Sequence, residues 1–502
     1  MPFWTVELKI DKKMKTKKLN YFAIRIVLNR IFTFSTLVIF SLLSSNESLA
    51  NSSLEGNINF HQQEYENIAL SIWDLAEVGY QEYESSNLLK ESLKKKGFTI
   101  EENIANIPTA FTAEFGNGFP IIGILGEFDA LPGIAQSASP FKEKYKDNIA
   151  GHACGHHLFG AGSAWAAVVI KEWLSENKKN GTVRFYGTPA EEGGSGKVYM
   201  AREGLFDDID VVLHWHPGSV NHARPRTSNA NKSAKFNFKG LSAHAASAPD
   251  KGRSALDGVE SMNMMVNLMR EHVPQESRIH YVITKGGLAP NVVPDEAEVY
   301  YYVRHPRRQV VEEIFERVVK AAEGAALGTE TTFNYEVMHG NYSVMPNEVL
   351  QQIMHKHLSL RGGIIYDHDE KEFAKALYKT LLDPKASIGD QEKILPYQSI
   401  HGYGSTDVGD ISWLVPTAGA RIASWVPGTP AHSWQAVASG GTTIGLKGMK
   451  LAVQVLSETA KEIYLNPSVV LKAKQELENR VGKDFEYVPL LGDRDPPLDY
   501  RN

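Results

Sequence analysis

Cysteine is almost absent: Cys154 is the only one in 502 residues. A single thiol excludes any intramolecular disulfide, so the fold must stand on packing alone. Excess charge of one sign is lacking too. The net charge is -6, from 53 basic and 59 acidic residues, and the pI lies near 6.3. Nothing in that balance points to nucleic acid as a partner. There is no Gly-x-x-x-x-Gly-Lys-Ser/Thr phosphate loop and no internal repeat. Long apolar runs are missing as well: Ile31 to Leu43 is free of charge but too short for a comfortable membrane span. No stable span is expected in the mature chain.

That short run belongs to a targeting pattern. Lys9, Lys12, Lys13, Lys15, Lys17, Lys18, Arg25 and Arg30 precede or flank it, and Ser48-Leu49-Ala50 has the small-x-small form of a cleavage site. Residues 1–50 are expected to be a signal peptide, with Met1 or Met14 as the start, and the mature chain periplasmic or secreted. A bare thiol is a liability in an oxidising compartment. A metal bond would protect Cys154; simple burial would too.

What is present concentrates around that thiol. His152, Cys154, His156 and His157 fall within Gly151-His-Ala-Cys-Gly-His-His157, and imidazole and thiolate are the usual ligands of zinc and related divalent ions. Gly155 leaves room for Cys154 and His156 to face one ion. The small and apolar residues from Leu158 onward read as a buried helix. The bland alternative is a helix start that happens to be rich in His.

Other strands converge on the same chemistry. Ile121 to Leu125 is a continuous apolar run, the mark of a strand buried on both faces, and it leads to Asp129 in Gly126-Glu-Phe-Asp-Ala-Leu-Pro132. Asp129 is a candidate to orient a ligand His from behind; otherwise it only caps a turn. Thr182 to Tyr186 is a strand that runs into Gly187-Thr-Pro-Ala-Glu191-Glu192-Gly-Gly194, and Val211 to Leu213 runs into His214-Trp215-His216-Pro217. Acidic pairs are mostly solvated surface, but three strands here deliver metal-type residues to one sheet edge, where open α/β sheets place their sites. Adjacent Glu191 and Glu192 suit a division of labour, one as a general base and one as a ligand.

From about Ala230 the pattern changes. Strands at Ser233 to Phe238, Arg278 to Thr284, Glu296 to Val303 and Thr331 to Met338 alternate with helices at Ser254 to Val273 and Gln309 to Ala326. That βαββαβ order is a ferredoxin-like unit inserted in a larger domain. The α/β pattern resumes near Tyr342 and closes with Gly428-Thr-Pro-Ala-His432-Ser-Trp434.

These motifs together resemble the aminoacylase/carboxypeptidase-type metallopeptidases, in particular their aminobenzoyl-glutamate utilisation protein B branch, over roughly Phe60 to Leu465. The resemblance implies an α/β, two-domain metallohydrolase: a mixed-sheet catalytic domain over 51–229 and 342–465 and an inserted dimerisation or lid domain over 230–341. Beyond it, the charged and Pro-containing tail over 466–502 is expected to be helical to about Arg480 and loose from Asp493. It implies an amidohydrolase that cleaves an N-acyl amino acid, nearest to p-aminobenzoyl-glutamate, with two divalent ions. Zinc or manganese, or else cobalt, suits the donors. Cys154 would bridge the ions, with His156, Glu192, His216 and His432 as further ligands and Glu191 as the base. His244 would cross a homodimer to polarise the scissile carbonyl, and Asn291 and Arg304 would hold the substrate's carboxylate. His157 stands where the family has Asn or Asp, and His214 competes with His216. Two alternatives remain: an aminoacylase or dipeptidase with a different acyl group, and a non-catalytic subunit paired with a homologous active one.

Overall fold

The computed structural model describes residues 54–146 and 149–501. The expected signal peptide and its cleavage site lie outside them. Among the described residues no helix is long and apolar enough to cross a membrane.

A helix ending at residue 75 and a second at Tyr83–Lys95 lead into a run of strands: β1 (Thr99–Glu102), β2 (Phe111–Asn117), β3 (Ile121–Gly126), β4 (Gly181–Gly187) and β5 (Val211–Gly218). Next come β6 (Ala230–Lys239), β7 (Arg278–Lys285), β8 (Glu296–His305), β9 (Thr332–Asn341) and finally β10 (Thr417–Ala423).

Six of these form one mixed sheet in the order β1-β2-β4-β3-β5-β10. The first two pairings are antiparallel; β3 runs parallel to β4 and β5, and β10 parallel to β5. The apolar run predicted for β3 is buried along nearly its whole length, as expected of a central parallel strand covered on both faces. The protein is thus a mixed α/β chain.

The helix His156–Glu176 packs on this sheet and is buried from His156 to Ile170. Its approach is set by glycine. A Cβ on Gly160 would stand 2.7 Å from the carbonyl oxygen of Glu127, so only hydrogen at that position lets the helix start close on the end of β3. Gly155, at φ +77°, would drive a Cβ to 2.7 Å from Pro217. It therefore turns the chain where β5 also ends.

The second sheet is antiparallel, in the order β7-β8-β6-β9. Helices Ala255–Met269 and Arg308–Thr329 occur at the two crossovers and supply Val259, Met262, Val311, Ile314, Phe315 and Val318 to a core with Phe236, Phe238, Val299 and Tyr301. Ser254 caps the first of these helices by accepting from the amide of Asp257. At the sheet's edge, β7 leaves Tyr281, Val282 and Ile283 exposed.

Candidate active site and metal centre

The carboxyl ends of β3, β4 and β5 meet at the amino end of the helix that begins at His156. Asp129, just past β3, is buried and works in two directions. Its Oδ1 accepts from Nδ1 of His156 at 2.8 Å, and its Oδ2 accepts from the amide of Glu192 at 2.9 Å. Burial disfavours its charge, but His156 and the Glu192 amide outweigh that and hold the carboxyl at about 2. With Nδ1 engaged, His156 presents Nε2, which lies 3.0 Å from Oε2 of Glu127.

Cys154 and His216 face each other, with Sγ 3.5 Å from Nε2. His216 donates from Nδ1 to the carbonyl of Pro217 at 2.7 Å, so its free nitrogen is the one turned to the thiol. Oε1 of Glu192 lies 3.1 Å from Nε2 of His432. His432 is held in a left-handed conformation, φ 59°, and its amide donates to the carbonyl of Ala153. Three sets of donors result: Cys154, His156 and His216; Cys154, Glu192 and His432; Glu127, His156 and Glu191. Within each set the ligand atoms lie within 4.8 Å of one another. Cys154 belongs to two sets and His156 to two.

The donor chemistry fits divalent ions. Both carboxylate oxygens of Glu127, Nε2 of His156 and Oε1 of Glu192 are buried and meet only one another, Lys197 and His432. Buried charged groups of this kind are costly to gather, and here carboxylates, imidazoles and a thiol converge on one space. Burial and the neighbouring carboxylates of Glu127, Glu192 and Asp407 push the Glu191 carboxyl well above its ordinary range.

The acidic turn is strained and braced. Ala190 sits at φ 55°, a conformation a non-glycine residue keeps only when its surroundings hold it. Its amide donates to Oε1 of the buried Glu82 at 2.8 Å. The site opens into a cavity of about 650 Å³, lined also by Tyr302, Arg304, Arg421 and Arg501.

Comparison with known proteins shows the family. Residues 123–380 match the model of peptidase family M20/M25/M40. A subunit of the p-aminobenzoyl-glutamate hydrolase of Escherichia coli (strain K12) is 40% identical over 452 residues, covering 84% of this chain and 94% of that relative. The chain belongs to peptidase family M20/M25/M40. Among solved structures, an aminobenzoyl-glutamate utilization protein from Klebsiella pneumoniae superposes with a TM-score of 0.57 at 16% identity, covering 82% of this chain and 98% of that one. A dinuclear metal-binding M20 peptidase from Bacillus subtilis does so with a TM-score of 0.50 at 18% identity, covering 79% and 99%. At such identities these two speak for the fold.

Within this M20 chain the competing histidines make different contacts. His216 joins a donor set. His214 lines the cavity wall with its ring against Gly419, where a Cβ would stand 2.2 Å from Nε2; burial holds it neutral, at about 3. His157 points away and donates to the carbonyl of Gly440 at 3.1 Å, and His152 donates to Ile72 at 2.9 Å. Both brace the loop. Arg304 reaches the cavity. His244 and Asn291 do not line it: they are exposed on adjoining loops, joined where the amide of Ala245 donates to the carbonyl of Asn291 at 3.0 Å.

Three groups were not singled out from sequence. Glu127, two residues before Asp129, shares its side of the strand end, a period-two signal that was present. Lys197 is buried between Glu127 and Asp407, 2.7 Å from each. Arg501 comes from a segment without periodicity.

Proposed function

We propose that this M20 hydrolase is a metal-dependent amidohydrolase that cleaves the amide bond of an N-acyl amino acid, nearest in kind to p-aminobenzoyl-glutamate. The observation that carries the reading is the sharing of Cys154 and His156 among three donor sets, with Glu191 and Glu192 adjacent on one braced turn. Cys154, His156, Glu192, His216 and His432 would hold a pair of divalent ions, and Glu127 is a further candidate. The chemistry such ions supply when bound is polarisation of a carbonyl and acidification of water. A thiolate suits zinc; the carboxylates and imidazoles also accept manganese or cobalt.

The chain's own residues do the rest. Glu191 takes the proton of the attacking water on a carboxylate oxygen and returns it to the leaving nitrogen. Its raised affinity for protons suits both halves of that task. Asp129 fixes the ring of His156 and, through the amide of Glu192, the acidic turn. Arg304, with its planar fork, holds the substrate's carboxylate, and Asn291, outside the cavity of its own chain, would join it only from the neighbouring subunit.

The βαββαβ segment is a ferredoxin-like dimerisation unit in this reading. Support comes from the exposed apolar face of β7 and from Met264, Met265 and Leu268, also exposed on the first of its helices. In such a dimer His244 serves the neighbouring site. Its Nδ1 accepts from the amides of Ala246 and Ser247, so Nε2 carries the proton and can donate to a developing oxyanion. The catalytic domain spans 51–229 and 342–465 around the insert, and the mature chain is periplasmic or secreted.

The Escherichia coli relative is one subunit of a hydrolase, which favours a second reading, in which this chain works with a homologous subunit. One assay separates the two. The purified chain alone, given zinc, manganese or cobalt in turn, should release p-aminobenzoate from p-aminobenzoyl-glutamate. Activity only after adding a homologous subunit supports the second reading. Bound metal with no hydrolysis of any N-acyl amino acid, in either setting, rejects both.

A further inference from the structure

The cavity carries a concentration of positive charge that the hydrolysis above leaves unused. Arg224, Arg226 and Arg421 line it together with His222. The first two come from the stretch after β5 and the third from β10. They stand apart in the chain from Arg304 on β8, which lies over the ring of Tyr302 at 5.2 Å. Repulsion by Arg421, then burial and Arg224, pulls Arg226 down to about 9, which marks the guanidinium groups as neighbours.

Their counter-charges are missing. Among the described residues, no acidic group acts on Arg224 or Arg226. Arg421 senses Cys154, Glu127 and Glu191, two of them candidate metal ligands and the third the proposed base, so none is left over for Arg224 or Arg226. Its polar contacts are the Nδ1 of His216 and the carbonyl of Pro217, each at 3.4 Å. The Nε of Arg224 is buried with no hydrogen-bond partner. His222 adds no compensating charge; burial and the three arginines hold it neutral, at about 2. Half-buried like charges without a counter-ion weigh against the folded state. A purely structural role would have been met at less cost by pairing or by apolar side chains, so the cluster calls for an anion from outside.

We propose that Arg224, Arg226 and Arg421 form an anion subsite, distinct from Arg304, that receives a second acidic group of the substrate. The chain therefore selects N-acyl amino acids that carry at least two negative charges. This rests on the amidohydrolase reading for the reaction, but the subsite itself does not depend on turnover. Planar guanidinium forks take a carboxylate or a phosphate equally well, and the two sources are separable by experiment.

Calorimetry with glutarate, butyrate and inorganic phosphate on the metal-loaded parent, Arg224→Gln and Arg226→Gln tests binding alone. The parent should bind glutarate or phosphate at least tenfold more tightly than butyrate, and each variant should lose most of that preference. A stronger response to glutarate assigns the subsite to a carboxylate, and a stronger response to phosphate assigns it to a phosphate. A parent with no preference, or variants that keep it, overturns the proposal. Kinetics add a second readout: the ratio of kcat/KM for an N-acyl-glutamate over its N-acyl-glutamine counterpart should fall at least tenfold in Arg226→Gln. A general loss of folding would lower both substrates together and leave that ratio unchanged, which also counts against the subsite. If the parent cleaves neither substrate, alone or with a homologous subunit, that counts against the amidohydrolase reading, and the binding comparison still decides the subsite.

Discussion

The hydroxyl of Tyr500 donates to the main-chain carbonyl of Glu192 at 3.1 Å, tying the acidic turn to a residue 308 positions away. Arg501 donates to the same carbonyl and lines the cavity. The segment before them is anchored at several points. Gln81 donates to the carbonyl of Leu498 at 2.8 Å, Arg202 donates to that of Arg494 at 2.7 Å, and Arg494 pairs with Glu336.

This strap holds the backbone from which Glu191 and Glu192 project. A hydrogen bond from a charged donor contributes about 1.5–3 kcal/mol. Arg501→Ala should therefore lower kcat/KM by roughly 10- to 100-fold, with Arg501→Lys recovering part of the loss. Steady-state kinetics beside a thermal melt check this. A lowered melting temperature with intact kcat/KM would reduce the strap to packing.

The strap also shows where sequence reading runs out. Residues from Asp493 onward are polar and Pro-containing with no period, and a loose tail was the natural expectation. As far as residue 501 they form no helix or strand, yet side-chain to main-chain bonds to residues hundreds of positions away fix them. By contrast, β3, β4 and β5 were legible because apolar runs bounded by Gly and Pro leave little choice. Cys154, His156, Glu191, Glu192, His216 and His432 were legible because each sits at the end of such a strand or in a Gly-bounded turn, and the structure brings all six together. The separate fates of His214 and His216 were not. Residues two apart on a strand share a face, and the ring of Phe159 touches both; Gly419 against His214 and the thiol of Cys154 against His216 distinguish them.

Asp410 should make stability depend on pH. Burial pushes its carboxyl up to about 7, against the donors Tyr342 N and Tyr487 Oη at 2.9 and 2.8 Å. In the unfolded chain it titrates near 4. Between those values the folded chain keeps a proton that the unfolded chain has released, so stability falls as pH rises through the window. The cost is absent below about 4 and complete above about 7. Asp410→Asn removes the titration. Relative to the parent, the variant should gain stability in urea melts from pH 5 to pH 8, by an amount on the order of a few kcal/mol. A pH-independent difference would mean that Asp410 stays charged in the fold.

His244 is exposed on its own chain, and the proposed dimer gives it work on the other. His244→Ala and Glu191→Gln should each be nearly inactive. After subunit exchange, half the dimers would be mixed and each would hold one intact site, restoring roughly a quarter of the parent's activity. Exchange confirmed by native mass spectrometry with no recovery would remove His244 from the neighbour's site.

The most direct test is a paired measurement on Glu191→Gln. Amide and carboxylate have the same size, but the amide cannot accept the proton. The variant should hold as many divalent ions per chain as the parent, two on this account, while turnover falls by roughly 10²- to 10⁴-fold. Metal analysis and hydrolysis on the same preparations decide it. Loss of metal together with activity would make Glu191 a ligand, and activity kept within a few-fold would contradict its role as the base.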